Sequence, residues 1–530
     1  MSKKILYYVV LGLLVIGLVK ALFFSGITQP YEVQSFFTTA KEPGLVWASA
    51  GTHYKRGRLG EYFLGQHYRD VWSTPVKAPV LDISKINGGL KVGKLGGGMQ
   101  TTNLNLIGPA GQNWVIRSMD KDPIKVLPPF GQKTFIADLI RDQISASNPY
   151  AALVVAQLAE AAAIFHANPS VVFVSAADPY LQQHRGKIGN KLVLMEEKYT
   201  SKSINLPQFT GATAILNSLE MLENRYCFSS HRIDQLSFAQ CRLFDLFIGD
   251  WDRHEGQWMW AAYPSGGKTL YKPIPKDRDQ AFSQYQDGVV PWLLTRNFAL
   301  RKFGHFDYRL NDIADYLVNA SFIDERALNA VTLAEFTQLA RQLQIKLTDE
   351  VIEAAVQKLP PPIYKIRGAE LADKLKSRRK QLVQVATQYY KILAKQVVIV
   401  GTDEQEKFEV IRRPNGQTLV NMYQLTPGER KGALVYQRLF NNTETQSVTL
   451  HGLAANDVFT VSGKVKAGIV VKIVGGRGED FIADYSVVEK GENNTVVIDT
   501  KKGNTIIWGP QTENKTSSDL SVHNYDREGF

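Results

Sequence analysis

Near residue 396 the chain changes its hydrophobic rhythm, and one kind of layer cannot bury both patterns. Before that point apolar residues recur at three- and four-residue spacing, as in Phe135, Ile136, Leu139, Ile140 and Ile144. The same period runs through 330–357 and a Lys- and Arg-rich stretch at 368–396, with Pro360, Pro361 and Pro362 between them. After it come short β-type runs at 397–401, 408–411, 434–440, 448–450, 458–461, 469–474, 495–498 and 505–508, separated by Gly, Asn and Asp turns. The spacing predicts a helical region followed by an all-β module over 396–530. Within that module Gly475-Gly-Arg-Gly-Glu-Asp480-Phe-Ile matches a calcium β-roll repeat, and a looser copy begins at Gly452. Such sites need stacked repeats, so two imperfect copies predict a stack of turns without calcium at Asp480.

The first 25 residues carry a second strong signal. Lys3 and Lys4 precede an apolar run from residue 5 to 19, and Lys20 and a further apolar stretch follow. The run suits a signal peptide, or a spanning helix over residues 5–24 if Lys20 snorkels. No small-residue cleavage site stands at residues 23–26, which points to an uncleaved transmembrane anchor over 1–26. The leading lysines place the bulk outside the cytoplasm, on the periplasmic side. A formal net charge of +11 suits an anionic surface or a phosphorylated ligand. No basic run with interleaved aromatics is present, so nucleic acid is not an expected partner. The two cysteines, Cys227 and Cys241, form no metal-ligand cluster and read as separate thiols, a disulfide being the alternative.

Between the anchor and the β module, 27–87 reads as an extension. Residues 88–200 follow as strands around a helix, and 201–395 as mostly helix. Phosphoryl transfer needs a glycine loop, a strand cation, carboxylates for magnesium and a carboxylate that orients the nucleophile. All four occur in order. Gly96, Gly97 and Gly98 form the glycine loop, although a hairpin turn explains them equally well. Arg117 or Lys121 is the strand cation, and Glu160 is spaced to pair with it from a helix that begins at Asn148-Pro149. Glu196 and Glu197 stand where the chain would cross between lobes. Asp252-Arg-His254-Glu-Gly-Gln257 sets an acid five residues before an amide, so Asp252 with His254 reads as catalytic and Gln257 as a metal ligand. Asp277 and Asp279 follow a strand-like 270–275 and read as further metal ligands. Either turn alone is equally an ordinary acidic turn paired with Arg253 or Arg278.

Residues 249–258 resemble the D-R-H-x-x-N loop of phosphoinositide kinases and of the HipA and CotH kinase-like families. Residues 275–282 resemble the metal-binding segment that follows it there. More closely, 96–101, 115–123, 192–198 and 250–258 look like a kinase-like domain of envelope proteins in Bacteroidota, over about residues 45–525. That resemblance implies an α+β, two-lobed kinase-like domain using ATP and Mg²⁺. It also implies an association with a Bam-type outer-membrane β-barrel, whose entry 524–530 resembles. Gln257 departs from the usual Asn, and Arg117 from the Lys of active kinases. Three functions stay open: an envelope phosphotransferase, an inactive kinase-like scaffold for a barrel or another envelope protein, and an export or adhesion module centred on the β region.

Overall fold

The computed structural model describes residues 11–17, 36–96, 101–129, 131–295, 301–426, 428, 430–492 and 494–529. Strands β1 (Phe37–Thr39), β2 (Leu45–Ala48) and β3 (Val76–Pro79) form a small antiparallel sheet. The helix expected across 59–72 is two short helices, Arg58–Leu64 and Arg69–Ser73. Gly65 breaks it, at φ 92°, in a corner where a Cβ would strike His67 and the carbonyl of Asp287.

A five-stranded antiparallel sheet follows. Its members are β4 (Lys91–Gly96), β5 (Asn103–Ile107), β6 (Asn113–Ser118), β7 (Ser170–Val174) and β8 (Lys191–Glu197), in spatial order β4-β5-β6-β8-β7. The strand period of two sorts its side chains. Leu104, Leu106, Ile116, Val193 and Met195 enter a core on one face. The cross-strand pair Val115 and Glu196, with Arg117 beside them, lies on the other. Helix α1 (Ala151–Ala161) leads toward β7 and is apolar almost all round, so it is buried.

The region expected to be mostly helical also contains a sheet, of β9 (Ala214–Asn217), β10 (His231–Ile233), β11 (Trp258–Ser265) and β12 (Lys268–Pro275). Trp258, Trp260, Ala261 and Ala262 of β11 are all buried, which hides the alternation that marks a half-exposed strand. Helices α2 (Gln235–Ile248), α3 (Leu333–Lys346), α4 (Asp349–Val356) and α5 (Ala369–Ala394) pack with α1 around one large core.

Beyond Lys395 the chain winds as a β-solenoid. Gln396–Val400, Ser447–His451, Val470–Val474, Thr495–Ile498 and Thr512–Asn514 form one parallel sheet. Glu406–Arg413, Val458–Ser462, Phe481–Asp484 and Thr505–Ile507 run parallel in the facing sheet. Gln417–Thr426 and Arg430–Asn441 extend that second sheet as an antiparallel insertion. Apolar residues of both sheets, Phe408 and Phe459 stacked among them, fill the space between. The Gly475 segment is the turn from one sheet to the other.

Two expectations are corrected. Among the described residues no helix is long and apolar enough to cross a membrane. An N-terminal transmembrane helix over 1–26, and a membrane-anchored, periplasmic location drawn from it, are therefore not supported. The described residues form a molecule of mixed helices and strands, without the expected anchor helix. Cys227 and Cys241 are both free, Cys241 being buried.

Candidate active site

The site is built on the base of the β11–β12 hairpin. Trp258 pairs with Pro275, so the loops before β11 and after β12 lie side by side. This explains how two acidic segments far apart in sequence share one place. Helix α2 delivers the first loop: it ends at Gly249 with φ 72°, where a Cβ would press on Phe306. Arg253, fully buried, ties the loops together. Its guanidinium donates to the carbonyls of Lys276 (2.6 Å) and Gln257 (3.2 Å) and to Asp245 (3.2 Å), and it lies 4.5 Å from the Trp258 ring centroid. Asp245 also receives Arg242 (3.1 Å) and Arg278 (3.0 Å). Burial alone would raise the Asp245 carboxyl, but these three arginines hold it below its usual range.

Opposite the hairpin stands the face of the five-stranded sheet that carries Arg117. Its guanidinium donates to Glu196 (2.9 Å) and to Asp277 (2.9 Å). Lys121 pairs with Asp279. Asp277 has φ 53°, an uncommon backbone for a residue with a Cβ but one that Asp tolerates. Burial opposes its charge, yet Arg117 and Lys121 keep its carboxyl below the ordinary range. Asp279 is pushed up, by burial and then by Asp277, despite Lys121. Burial outweighs Arg117 at Glu196 and pushes it up to about 7. Asp277, Arg117 and Glu196 border a cleft whose other walls are Val155 and Ala156 of α1, Pro275 and Tyr199.

Asp252 accepts a hydrogen bond from the Asn319 amide (2.8 Å). Close by, the Tyr285 hydroxyl donates to Gln280 (3.0 Å), and the Gln280 amide donates to Asp279 (3.3 Å). Asp252, Gln280 and Tyr285 share the wall of one cavity. The neighbouring Asp250 is fully buried, and burial pushes its carboxyl up to about 7.

Sequence reasoning missed Glu196 as the partner of Arg117. Glu160, expected there, is exposed and among the described residues receives Gln157 (3.4 Å). Glu197 accepts from the Asn168 backbone (2.6 Å) and borders the cleft. His254 caps its own turn, its Nδ1 accepting from the Gly256 N–H (3.1 Å). The Gln257 contacts are made by its backbone, the carbonyl accepting from Lys276 and Arg253 and the N–H donating to the His254 carbonyl. Gly96 ends β4 and lines a separate cavity with Thr102, Ser118 and Asp120. Gly97 and Gly98 lie outside the described residues. Among the described residues no group of three or more His, Cys, Asp or Glu side chains is placed to hold a metal.

No protein-family model and no curated protein matches the chain. Among solved structures, it aligns with the proinflammatory kinase CtkA of Helicobacter pylori at 10% identity and TM-score 0.28, covering 54% of this chain and 93% of that one. It also aligns with a chain of the HipA, HipB toxin–antitoxin complex with operator DNA from Shewanella oneidensis, at 12% identity and TM-score 0.26, covering 56% and 67%. TM-scores this low do not assign a fold, and neither alignment concerns an envelope setting or a β-barrel.

Proposed function

We propose that this chain is a kinase-like phosphotransferase. What supports the reading is the hairpin base, where the loop of Asp252 lies beside the segment of Asp277 and Asp279, whose carboxylates pair with Arg117 and Lys121. A nucleotide would lie in the cleft between the sheet and α1, with its base against Val155, Ala156 and Tyr199 and its phosphates toward Arg117. Asp277 and Asp279 offer the hard oxygen ligands that suit Mg²⁺, which when bound would neutralise phosphate charge. Arg117 supplies a forked, permanently charged donor for phosphate oxygens. Asp252, held in place by Asn319, accepts the acceptor's hydroxyl proton.

One feature favours a second reading, an inactive scaffold. Asp277 and Asp279 are each paired already with a basic side chain. A metal-bound nucleotide must draw Arg117 and Lys121 from the carboxylates onto its phosphates. The test is a thermal-shift titration of the full chain with ATP, with and without Mg²⁺. Phosphotransfer predicts a metal-dependent rise in Tm, corresponding to about 3 kcal/mol at a hundredfold excess over Kd, that disappears in Asp277→Ala. No rise with any nucleotide would leave the scaffold.

A further inference from the structure

Next to Asp252 lies a cavity that the nucleotide cleft does not use. Its volume is about 190 Å³, somewhat more than a cavity of about 150 Å³ that holds benzene. Leu139, Ile140, Ile144, Trp251, Leu294 and Phe303 supply most of its wall. Trp251 and Phe303 meet edge to face at 4.6 Å. Gln143, Asp252, Gln280, Tyr285 and Thr295 interrupt this apolar lining, and two of them bear on what the cavity would hold. One is the Asp252 carboxylate. The other is the Gln143 amide, whose Nε2 is buried with no hydrogen-bond partner among the described residues. A buried donor without an acceptor is destabilising, and an oxygen-bearing guest would relieve it.

One wall residue also reaches the surface. Leu294 belongs to its wall and is 43% exposed. Its helix, Val289–Thr295, packs beside Arg58–Leu64. Together the two helices present Leu59, Tyr62, Phe63, Trp292 and Leu293 to solvent, an apolar strip to which a guest's chain could add.

We infer that this cavity is the acceptor site, and that the acceptor is an amphiphilic alcohol. Its hydroxyl meets Asp252, its oxygen accepts from Gln143, its first carbons fill the cavity, and the rest of its chain leaves past Leu294 along the strip. The inference rests on the phosphotransfer reading and names the substrate class for it. In the step, the alcohol oxygen bonds to the terminal phosphorus of a nucleoside triphosphate. The bond from that phosphorus to its bridging oxygen breaks, its electron pair leaves with the nucleoside diphosphate, and the hydroxyl proton passes to Asp252.

Calorimetric titration of the full chain with octanol and dodecanol tests this, each offered as the free monomer and, separately, dispersed in phosphatidylcholine vesicles. Octanol is expected to bind, and dodecanol more tightly. Ile140→Trp, which fills the cavity, should abolish octanol binding and leave the ATP-induced Tm shift intact. Should that variant fail to fold, Leu139→Phe serves in its place. Gln143→Leu should weaken octanol about tenfold, the worth of one hydrogen bond. Leu293→Ser should erase the advantage of dodecanol without changing octanol. Binding from vesicles but not from solution would make the source a bilayer, and the reverse a free alcohol; either supports the site. Octanol binding that survives the filled cavity, or no octanol binding while ATP binds, overturns the inference alone. Octanol binding with no nucleotide binding overturns the phosphotransfer reading beneath it.

Discussion

Arg117 stands between two carboxylates that would otherwise repel each other across the cleft. Replacing it with Met leaves Glu196 and Asp277 facing one another without a cation. Loss of one partner of a fully buried pair costs about 3–5 kcal/mol. All three side chains keep some solvent contact, so Arg117→Met should cost roughly 1–3 kcal/mol, read as a lower midpoint in urea. Arg117→Lys should recover much of that stability, since one ammonium can still lie between the two acids. Asp252→Asn preserves shape and the neighbourhood of Asn319 while removing the base. It should leave ATP binding unchanged and reduce phosphoryl transfer by about 10²–10⁴-fold, measured by nucleoside diphosphate release. The acids and cations of this site were legible from residue type and order. The partner of Arg117 was not. Glu160 had a suitable helix position, but only the antiparallel pairing of β6 with β8 sets Glu196 beside Arg117, and that pairing skips over β7 in sequence.

At the scale of elements, the solenoid coils repeat through their turns. The Asp457 backbone N–H donates to the Asp480 carboxylate (2.7 Å), 23 residues on, and the Glu406 N–H donates to Asp457 (2.8 Å). Glycine precedes each acid by five positions at Gly401, Gly452 and Gly475, and a Cβ at Gly475 would strike the carboxylates of Asp480 and Asp499. The acids thus stack as a ladder, and one oxygen of Asp457, of Asp480 and of Asp499 is buried with no hydrogen-bond partner among the described residues. Burial pushes Asp480 up to about 7, with Asp499 adding to the shift. An unfolded Asp titrates near 4, so the folded chain binds this proton more tightly. The resulting stabilisation is complete below about pH 4 and is lost as the pH rises toward 7. Asp480→Asn should flatten the stability profile across that window and make the protein more stable than the parent above pH 7, as measured by urea melts at stepped pH. Two of these copies were visible in the sequence. The first was hidden because its acid is Glu406 and a two-strand insertion separates it from the second. The last was hidden because Asp499 replaces its glycine.

The body and the solenoid share more than a chain crossing. The large core of the body includes Val400 and Leu453. Arg225 donates to the carbonyls of Val400 (2.8 Å) and Gly401 (3.1 Å), and Tyr436 and Arg438 both donate to the carbonyl of Asn329. These bonds should make thermal unfolding a single calorimetric transition. Arg225→Met leaves two carbonyls without donors and should cost about 2–4 kcal/mol. It should also split the transition, the body and the solenoid then melting apart. The change of architecture near residue 396 was plain from hydrophobic period alone. The seam was not, because it consists of backbone carbonyls, which every sequence possesses.

Only Lys395 separates the end of α5 from the first solenoid strand. That strand is therefore tied directly to the helix it follows. If winding starts there, each coil templates the next and hides the edge of its predecessor. A chain halted part-way would carry a bare parallel edge at its growing tip, the surface on which other chains most readily add a strand. How quickly the coils close, rather than how stable they are once closed, would then decide whether newly made protein stays monomeric.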